Sequence, residues 1–266
     1  MSAFSAAPLA DSALARRNPT VKLALLTVVS LVVMFVLDPV TPAVLYVLAL
    51  GGVVASARLT PRSLALAHVP FVLFAVGVLT VNALARPGEV LWQAGALRVT
   101  VEGLSVGGAL AGRTLLIGVL AIGFLASTDG VALMTSLHHN ARLGARVTYA
   151  VLAGYRMLQE MPREWATISH AHTVRAGFDG ARPPRGPRHL AGVAFTLLVV
   201  SVRKGERMAQ ALESRGLGLE PRTTWRPVVV TRADRWFAAG VLAVVAAVIA
   251  LSGALGYLEG PGALNG

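Results

Sequence analysis

The 266-residue sequence has no cysteine and little charge. Without cysteine there are no disulfides, no thiolate metal sites and no cysteine nucleophiles. Charged residues make up 14% of the chain, against about 25% in typical soluble domains, and 55% of the residues are hydrophobic. This composition argues against an ordinary cytosolic enzyme, a disordered chain and a nucleic-acid-binding protein. The net charge is nevertheless +11, and a hydrophobic chain with many basic residues is typical of a membrane protein with basic cytoplasmic loops.

Nucleotide-binding and zinc-protease motifs are also absent from the sequence. Lys22 and Lys204 are its two lysines, and neither follows a GxxxxG loop, so there is no Walker A motif. The H-E-x-x-H motif of zinc proteases does not occur. We therefore predict that the chain is not an enzyme, uses no cofactor and binds no nucleic acid.

Five apolar runs have lengths near the roughly 20 residues that a helix needs to cross a bilayer. The runs cover residues 21–37, 42–57, 64–85, 104–127 and 236–258. The first two are short for a span, and a loop rich in glycine, proline and charge follows the third over 86–102. We predict an all-α fold, that of a polytopic integral membrane protein with about five transmembrane helices.

The basic residues indicate how these spans are oriented. Sixteen of the 24 Lys and Arg residues lie between Arg142 and Arg235, and none follows the last run. Arg16, Arg17 and Lys22 precede the main part of the first run. By the positive-inside rule, the N-terminus is therefore cytoplasmic and the C-terminus lies outside. This predicts an N-terminal membrane region of four spans over 1–127, a cytoplasmic region over 128–235, and a last span with an outer tail over 236–266.

The cytoplasmic region is predicted to contain two or three amphipathic helices. It carries 16 basic and 8 acidic residues, a net charge of +8, and it is too long for a loop without structure of its own. Apolar residues recur every three or four positions over 146–175, where Pro162 is expected to kink or divide the helix. Residues 190–202 are uncharged but too short for a span, which suits an embedded or interfacial segment. Residues 203–216 are amphipathic again.

Two of these helices are predicted to end in similar sequences, Val174-Arg175-Ala176-Gly177 and Ser214-Arg215-Gly216. In one interpretation, each arginine meets the negative end of the helix dipole, an interaction worth about 0.3–1 kcal/mol. In the other, each guanidinium forms a forked contact with a carboxylate of a partner protein. The residues alone leave both interpretations open.

Residues in and near the fourth run have structural and functional interpretations. Arg113 lies near mid-span, where a charge costs about 2.5–3.5 kcal/mol, so it should face protein. It then either hydrogen-bonds to neighbouring helix carbonyls or takes part in transport. Gly103, Gly107, Gly108 and Gly112 form two GxxxG spacings, which permit close approach of a helix from this chain or from another subunit.

The histidines do not form a metal-binding motif. His170 and His172 diverge on a helix, because positions i and i+2 do not share a face, and no metal site is predicted. His138 and His139 are the one hint of a membrane-embedded enzyme. An autonomous secondary transporter or channel is the alternative function, but it would need several intramembrane ionisable groups or internal repeats. Arg113 stands nearly alone in this respect.

Three stretches of the sequence match the pattern of a known family. They are Asn18-Pro19-Thr20-Val21-Lys22-Leu23, Arg113 together with Phe124-Leu125-Ala126-Ser127-Thr128-Asp129, and residues 201–216. The third stretch is the most specific, with a basic start, the pair Glu206-Arg207 and the ending Ser214-Arg215-Gly216. In these stretches the chain resembles the T component of energy-coupling factor transporters, the transmembrane coupling subunit of ABC-type importers of vitamins and metal ions.

The resemblance implies a role for both helix ends. T components carry two three-residue motifs, usually Ala-Arg-small, at the ends of two cytoplasmic coupling helices, and each arginine is held by one of two ABC ATPase subunits. The matching positions are Val174, Arg175, Ala176, Ser214, Arg215 and Gly216, where Val174 and Ser214 replace the usual alanine. The resemblance also implies a separate substrate-binding membrane subunit, the S component. It further implies a place in the bacterial cell membrane and ATP-driven uptake of a vitamin or of a transition-metal ion such as cobalt or nickel.

Overall fold

The computed structural model describes residues 12–57, 59–94, 97–175, 186–219 and 228–257. Within them the chain forms eight helices and one hairpin, in the order α1 Pro19–Met34, α2 Val40–Ala57, α3 Pro61–Ala85, β1 Val90–Ala94, β2 Leu97–Thr100, α4 Val101–Ser127, α5 Gly130–Asn140, α6 Ala145–Arg175, α7 Pro187–Ser214 and α8 Arg232–Ala254. The chain divides into two compact units. The first combines Met1–Asp129 with Val229–Gly266, and the second is Gly130–Val228.

The first unit contains the membrane-spanning helices. Among the described residues, α2, α3, α4 and α8 are long and apolar enough to cross a bilayer, and α1 is a shorter apolar helix. With 16 residues, α1 is about 24 Å long. Large apolar side chains such as Leu73 and Phe74 of α3 are exposed, as expected for helices that face lipid. The predicted all-α, multi-pass membrane fold is confirmed.

Local sequence explains where these helices begin. The side chain of Asn18 accepts a hydrogen bond from the amide two residues further on, and a proline opens α1. Thr60 and Thr100 cap α3 and α4 in a similar way. Thr231 and Asp234 form a reciprocal capping box at the start of α8. These side chains satisfy amides that have no acceptor in the first helical turn.

Helix α4 lies at the centre of the first unit. It packs against α1, α2 and α3, and α8 packs against α1 and α2. Leu116 and Val119 of α4 are almost completely buried. Leu116 joins a cluster with Val29 and Leu45, and Val119 joins one with Val53. The hydrophobic core of this unit therefore surrounds the middle of α4.

Part of the predicted loop over 86–102 is a hairpin. Strands β1 and β2 pair antiparallel, with a register shift between Val90 and Trp92. The glycine, proline and charge of this stretch favoured a loop, but β-branched and aromatic residues such as Val90, Trp92 and Val99 favour strands. The hairpin leads directly into α4.

The second unit contains α5, α6 and α7. Helix α6 packs against both α5 and α7. It continues across Pro162, so of the two expectations, a kink or a division, the division is wrong. Pro162 is exposed, and water can satisfy the carbonyl that loses its partner there. Residues 190–202 form the first half of helix α7, which continues through the amphipathic stretch to Ser214.

Candidate functional site

Helices α6 and α7 run antiparallel along each other, as contacts near both ends of α6 show. At its start, the side chain of Arg146 lies beside Gly218, just beyond α7, where an added Cβ would be 2.8 Å from the Arg146 Nε. Near its end, Nε2 of His172 is 3.0 Å from Oγ1 of Thr196 in α7. As residue numbers increase along α6, the residue numbers of the facing positions on α7 therefore decrease.

A third contact lies between these two. Nζ of Lys204 in α7 donates a hydrogen bond to Oε1 of Glu164 and lies 3.5 Å from Oε2 of Glu160, both in α6. We call Lys204, Glu160 and Glu164 the Lys204 clasp. The hydrogen bond to Glu164 is the largest of the effects that raise the pKa of Lys204, so its ammonium group remains charged throughout the neutral pH range. In the sequence, these glutamates are recognisable only as part of the polar face of an amphipathic helix.

The end of α7 is built around Arg215. Arg215 is the C-cap residue, and Gly216 follows with a φ of +79°, in the left-handed region. The amide of Gly216 donates to the carbonyl of Glu213 at 2.9 Å, and the amide of Leu217 donates to that of Leu212 at 3.0 Å. This pair of bonds is the Schellman motif, and it holds the chain in a sharp turn from which the exposed Arg215 projects.

Arg175 stands at the end of α6. It is the last residue of the helix and is exposed, and the preceding Val174 is 76% exposed. Ala176, the third residue of this motif, lies outside the described residues. Neither Arg175 nor Arg215 forms an ion pair or a side-chain hydrogen bond with another described residue. In the described part of the chain, both guanidinium groups are therefore exposed without such a partner.

The antiparallel arrangement sets the distance between the two arginines. Two contacts show which residues of the helices face each other: Gly218 with Arg146, and Lys204 with Glu164. From these contacts, Arg215 lies beside a position on α6 that is about 24 residues before Arg175. At 1.5 Å per residue, Arg175 and Arg215 are about 36 Å apart. They lie at opposite ends of the helix pair.

Arg113 of α4 contacts the turn between α1 and α2. Its Nε and Nη2 both donate to the carbonyl of Val36, with 3.1 Å from Nε. In the same turn, Asp38 is buried and accepts a hydrogen bond from the amide of Thr41 at 2.6 Å. Carbonyls at a helix end lack a helical donor, and Arg113 supplies one for Val36. This contact supports the structural interpretation of Arg113.

The four predicted packing glycines of α4 face two helices of the same unit. A Cβ on Gly103 would lie 2.5 Å from the carbonyl oxygen of Asn82 in α3, and one on Gly107 would lie 3.1 Å from another backbone oxygen of α3. Cβ atoms on Gly108 and Gly112 would lie 3.3 and 3.2 Å from prolines around the start of α2. These contacts support packing within the chain.

Gly103 and Gly107 also flank Ser105 in a G-x-S-x-G spacing. In hydrolases this spacing places a serine at a sharp turn between a strand and a helix. Ser105 instead lies in the second turn of α4. The spacing therefore does not form a nucleophile elbow here.

The histidines of the second unit make separate contacts and do not converge on one site. Nδ1 of His138 lies 2.6 Å from the carbonyl oxygen of Leu143, and the ring of His139 packs edge-on against that of His138. His170 is exposed, whereas His172 meets α7. The described part of the chain contains no group of three or more His, Cys, Asp or Glu that could hold a metal ion.

A polar network that sequence reasoning missed joins the ends of α1, α4 and α8. Nζ of buried Lys22 donates to the carbonyl of Leu14 at 3.2 Å and to the carbonyl and Oγ of Ser127 at 2.7 and 3.1 Å. The amide of Asn18 donates to Oδ1 of Asp234 at 3.0 Å. A lysine inside an otherwise apolar run was the available signal, but it was interpreted only as a marker of orientation.

An apolar cavity of about 550 Å³ lies between α1, α2, α4 and α8. Lys22 and Ser56 are its polar lining side chains, and the ammonium group of Lys22 already has the partners described above. The described lining residues include no carboxylate and no imidazole. The cavity therefore has the character of a hydrophobic cleft.

Known proteins resemble the chain over most of its length. The chain is 27% identical over 251 residues to an energy-coupling factor transporter transmembrane protein EcfT of Thermosediminibacter oceani, covering 88% of this chain and 92% of that protein. It is 25% identical over 253 residues to a Bifidobacterium longum protein named as an ABC transporter ATP-binding protein. That match covers 91% of this chain and 32% of the relative, so the chain spans about a third of the length of that relative.

A family model, CbiQ, described as cobalt transport protein, matches residues 10–225. The match includes the first four apolar helices and both arginine motifs. Together with the EcfT relative, it confirms the resemblance to the T component of energy-coupling factor transporters. The chain belongs to the CbiQ family of cobalt transport proteins.

Proposed function

We propose that this chain is the non-catalytic coupling subunit of an energy-coupling factor importer. Two ABC ATPase subunits bind the ends of α6 and α7, one at Val174-Arg175-Ala176 and one at Ser214-Arg215-Gly216. ATP binding moves the two ATPase subunits, and the stiff helices transmit this motion to the membrane unit. There it reorients a separate substrate-binding membrane subunit.

The placement of the two arginines supports this proposal most directly. Both are exposed, both stand at a helix end, and they are about 36 Å apart at opposite ends of an antiparallel pair. This separation gives each of two ATPase subunits an arginine of its own. Each arginine has donors in a fork that matches a carboxylate.

The comparisons support the identity of the partners and the cargo. The Bifidobacterium longum relative is named as an ATP-binding protein, whereas this chain has no Walker A motif, so ATP hydrolysis belongs to partner subunits. The description of the family as cobalt transport proteins favours a transition-metal ion over a vitamin as cargo. The apolar lining of the cavity supports recognition of the cargo by the separate subunit.

The charge distribution supports a bacterial cell-membrane location with the second unit in the cytoplasm. Most basic residues lie between Arg142 and Arg235, and none follows α8. The positive-inside rule then places the N-terminus in the cytoplasm and the end of α8 outside.

Uptake by cells that carry alanine variants tests the proposal. Each charge-assisted hydrogen bond that is lost costs about 1.5–3 kcal/mol, or roughly 10- to 100-fold in affinity. Arg175→Ala and Arg215→Ala should each reduce uptake of radioactive Co²⁺ or Ni²⁺, and the double variant should abolish it. The amount of the chain in the membrane should stay the same.

Arg163→Ala in α6 and Arg207→Ala in α7 are matched controls. Both arginines are exposed and have no ion pair with another described residue, so their replacement should leave uptake unchanged. Normal uptake by the Arg175→Ala, Arg215→Ala double variant would refute the docking role of both helix ends.

A further inference from the structure

The contact between α6 and α7 has little buried apolar surface. In the described part of the second unit, Ile168 of α6 and Val193 of α7 are the fully buried hydrophobic side chains. Apolar contact is not directional, so a single layer of this kind allows one helix to slide along the other. Polar contacts then determine which positions of the two helices face each other, and among the described residues these include the hydrogen bond between His172 and Thr196 and the contacts of Lys204.

The geometry of the Lys204 clasp can fix which positions of α6 and α7 face each other. Glu160 and Glu164 are one turn apart on the same face of α6, and the ammonium group of Lys204 lies within reach of both. Moving α7 by one turn in either direction would take Lys204 away from at least one of the two carboxylates. Lys204 is also the one lysine between residues 128 and 235, and its side chain is 33% exposed.

The pattern of charges around the clasp makes it specific. Arg203 and Arg207 of α7 are exposed and form no ion pair with another described residue. The two carboxylates therefore pair with Lys204 and not with the two arginines nearest to it on α7. In coiled coils, a single polar residue in the helix interface specifies register at a cost in stability.

We propose that the Lys204 clasp fixes the axial register of α6 against α7 and thereby the spacing between Arg175 and Arg215. Lys204 is then a positioning residue for the two docking arginines. This role rests on the proposed function, because the spacing matters only if both arginines bind ATPase subunits. A slip of one turn would change the spacing by about 5 Å.

Distance measurements between two spin labels test the register directly. The chain has no cysteine, so Val174→Cys and Ser214→Cys give unique labels beside the two arginines, both at exposed positions. In the full chain in nanodiscs, pulsed electron–electron double resonance should give a narrow distribution centred at about 33 Å, because positions 174 and 214 are about two residues closer along the helix pair than the two arginines are. Lys204→Glu should shift this distribution by about one turn, roughly 5 Å, or broaden it to the same extent.

The reversed charge pair and a control on the same helix complete the experiment. Combining Lys204→Glu with Glu160→Lys and Glu164→Lys should restore the narrow distribution, and Arg207→Glu should leave it unchanged. A distribution that Lys204→Glu does not alter would overturn the register role, while the docking role of Arg175 and Arg215 would stand.

Uptake by the same variants separates the two proposals. Lys204→Glu should reduce metal-ion uptake at least several-fold, and the reversed triple variant should recover it. If the label distance changes and uptake does not, the spacing is not used for coupling and the positioning role of Lys204 is refuted. In that case, uptake by the Arg175→Ala and Arg215→Ala variants still tests the docking role independently.

Discussion

Gly216 is the residue that allows Arg215 to project from the end of α7. Its φ of +79° costs a residue with a side chain about 1–2 kcal/mol. We therefore predict that Gly216→Ala weakens the Schellman turn by about 1 kcal/mol and lowers uptake without removing any charge. Hydrogen exchange of the amides of residues 212–217 should become faster.

Gly205 is the matched control for this substitution. It lies inside α7, and an added Cβ would meet nothing within 4 Å. Gly205→Ala should therefore stabilise α7 by about 0.5–1 kcal/mol and leave uptake unchanged. Equal effects of the two substitutions on amide exchange would contradict the special role of the turn at Gly216.

Lys22 stabilises the first unit through the hydrogen bonds that its ammonium group donates. Its ammonium group binds the carbonyl and hydroxyl of Ser127 and the carbonyl of Leu14. Lys22→Met leaves these buried acceptors without a donor, at a cost of about 1–3 kcal/mol. The thermal unfolding midpoint in detergent should fall. Thr27→Val on the exposed side of α1 should change it little, and an equal midpoint for both variants would count against the network.

At the scale of the helix, the glycines of α4 determine how closely α3 can approach. A Cβ on Gly103 would lie 2.5 Å from the carbonyl oxygen of Asn82 and 2.6 Å from the hydroxyl of Thr100. Because backbone atoms cannot rotate away, Gly103→Ala should separate the two helices and destabilise the chain by about 1–3 kcal/mol. Gly77→Ala in α3, where an added Cβ meets nothing within 4 Å, should be neutral or stabilising. A thermal melt of both variants checks this, and an unaffected Gly103→Ala variant would contradict the close contact.

The helices illustrate what can be predicted from sequence and what cannot. The apolar runs are local signals and locate the spans, but each predicted run begins two to four residues after its helix does, because the caps and polar first turns lie outside the apolar run. The Lys204 clasp joins residues 40 and 44 positions apart, and no local pattern shows that α6 and α7 meet in this register. Pro162 is predicted to kink or divide α6, and the helix continues through it because its exposed position, which propensity does not reveal, leaves the freed carbonyl to water.

The same holds for the candidate site: its local features can be predicted from the sequence, and its long-range geometry cannot. Arg215 followed by Gly216 has the signature of a helix end, and the structure has the C-cap at that position. The sequence could not give the distance between Arg175 and Arg215, because that distance depends on the antiparallel packing of two helices joined by a linker.

At the scale of the whole molecule, the proposed orientation can be checked with single cysteines. Tyr257→Cys lies just beyond α8 and Ser214→Cys lies at the end of α7, both exposed. With five spans and a cytoplasmic N-terminus, an impermeant maleimide added to intact spheroplasts should label Tyr257→Cys and not Ser214→Cys. Ser214→Cys should react only after the membrane is opened. The reverse pattern would contradict the orientation.

The number of ATPase subunits bound to the purified complex tests the central claim most directly. Native mass spectrometry of the wild-type chain, co-expressed with its ATPase subunits, should give complexes with two ATPase subunits. The Arg175→Ala, Arg215→Ala double variant should give the chain without ATPase subunits at the same concentration, while Arg163→Ala and Arg207→Ala keep both. Two ATPase subunits retained by the double variant would contradict the account.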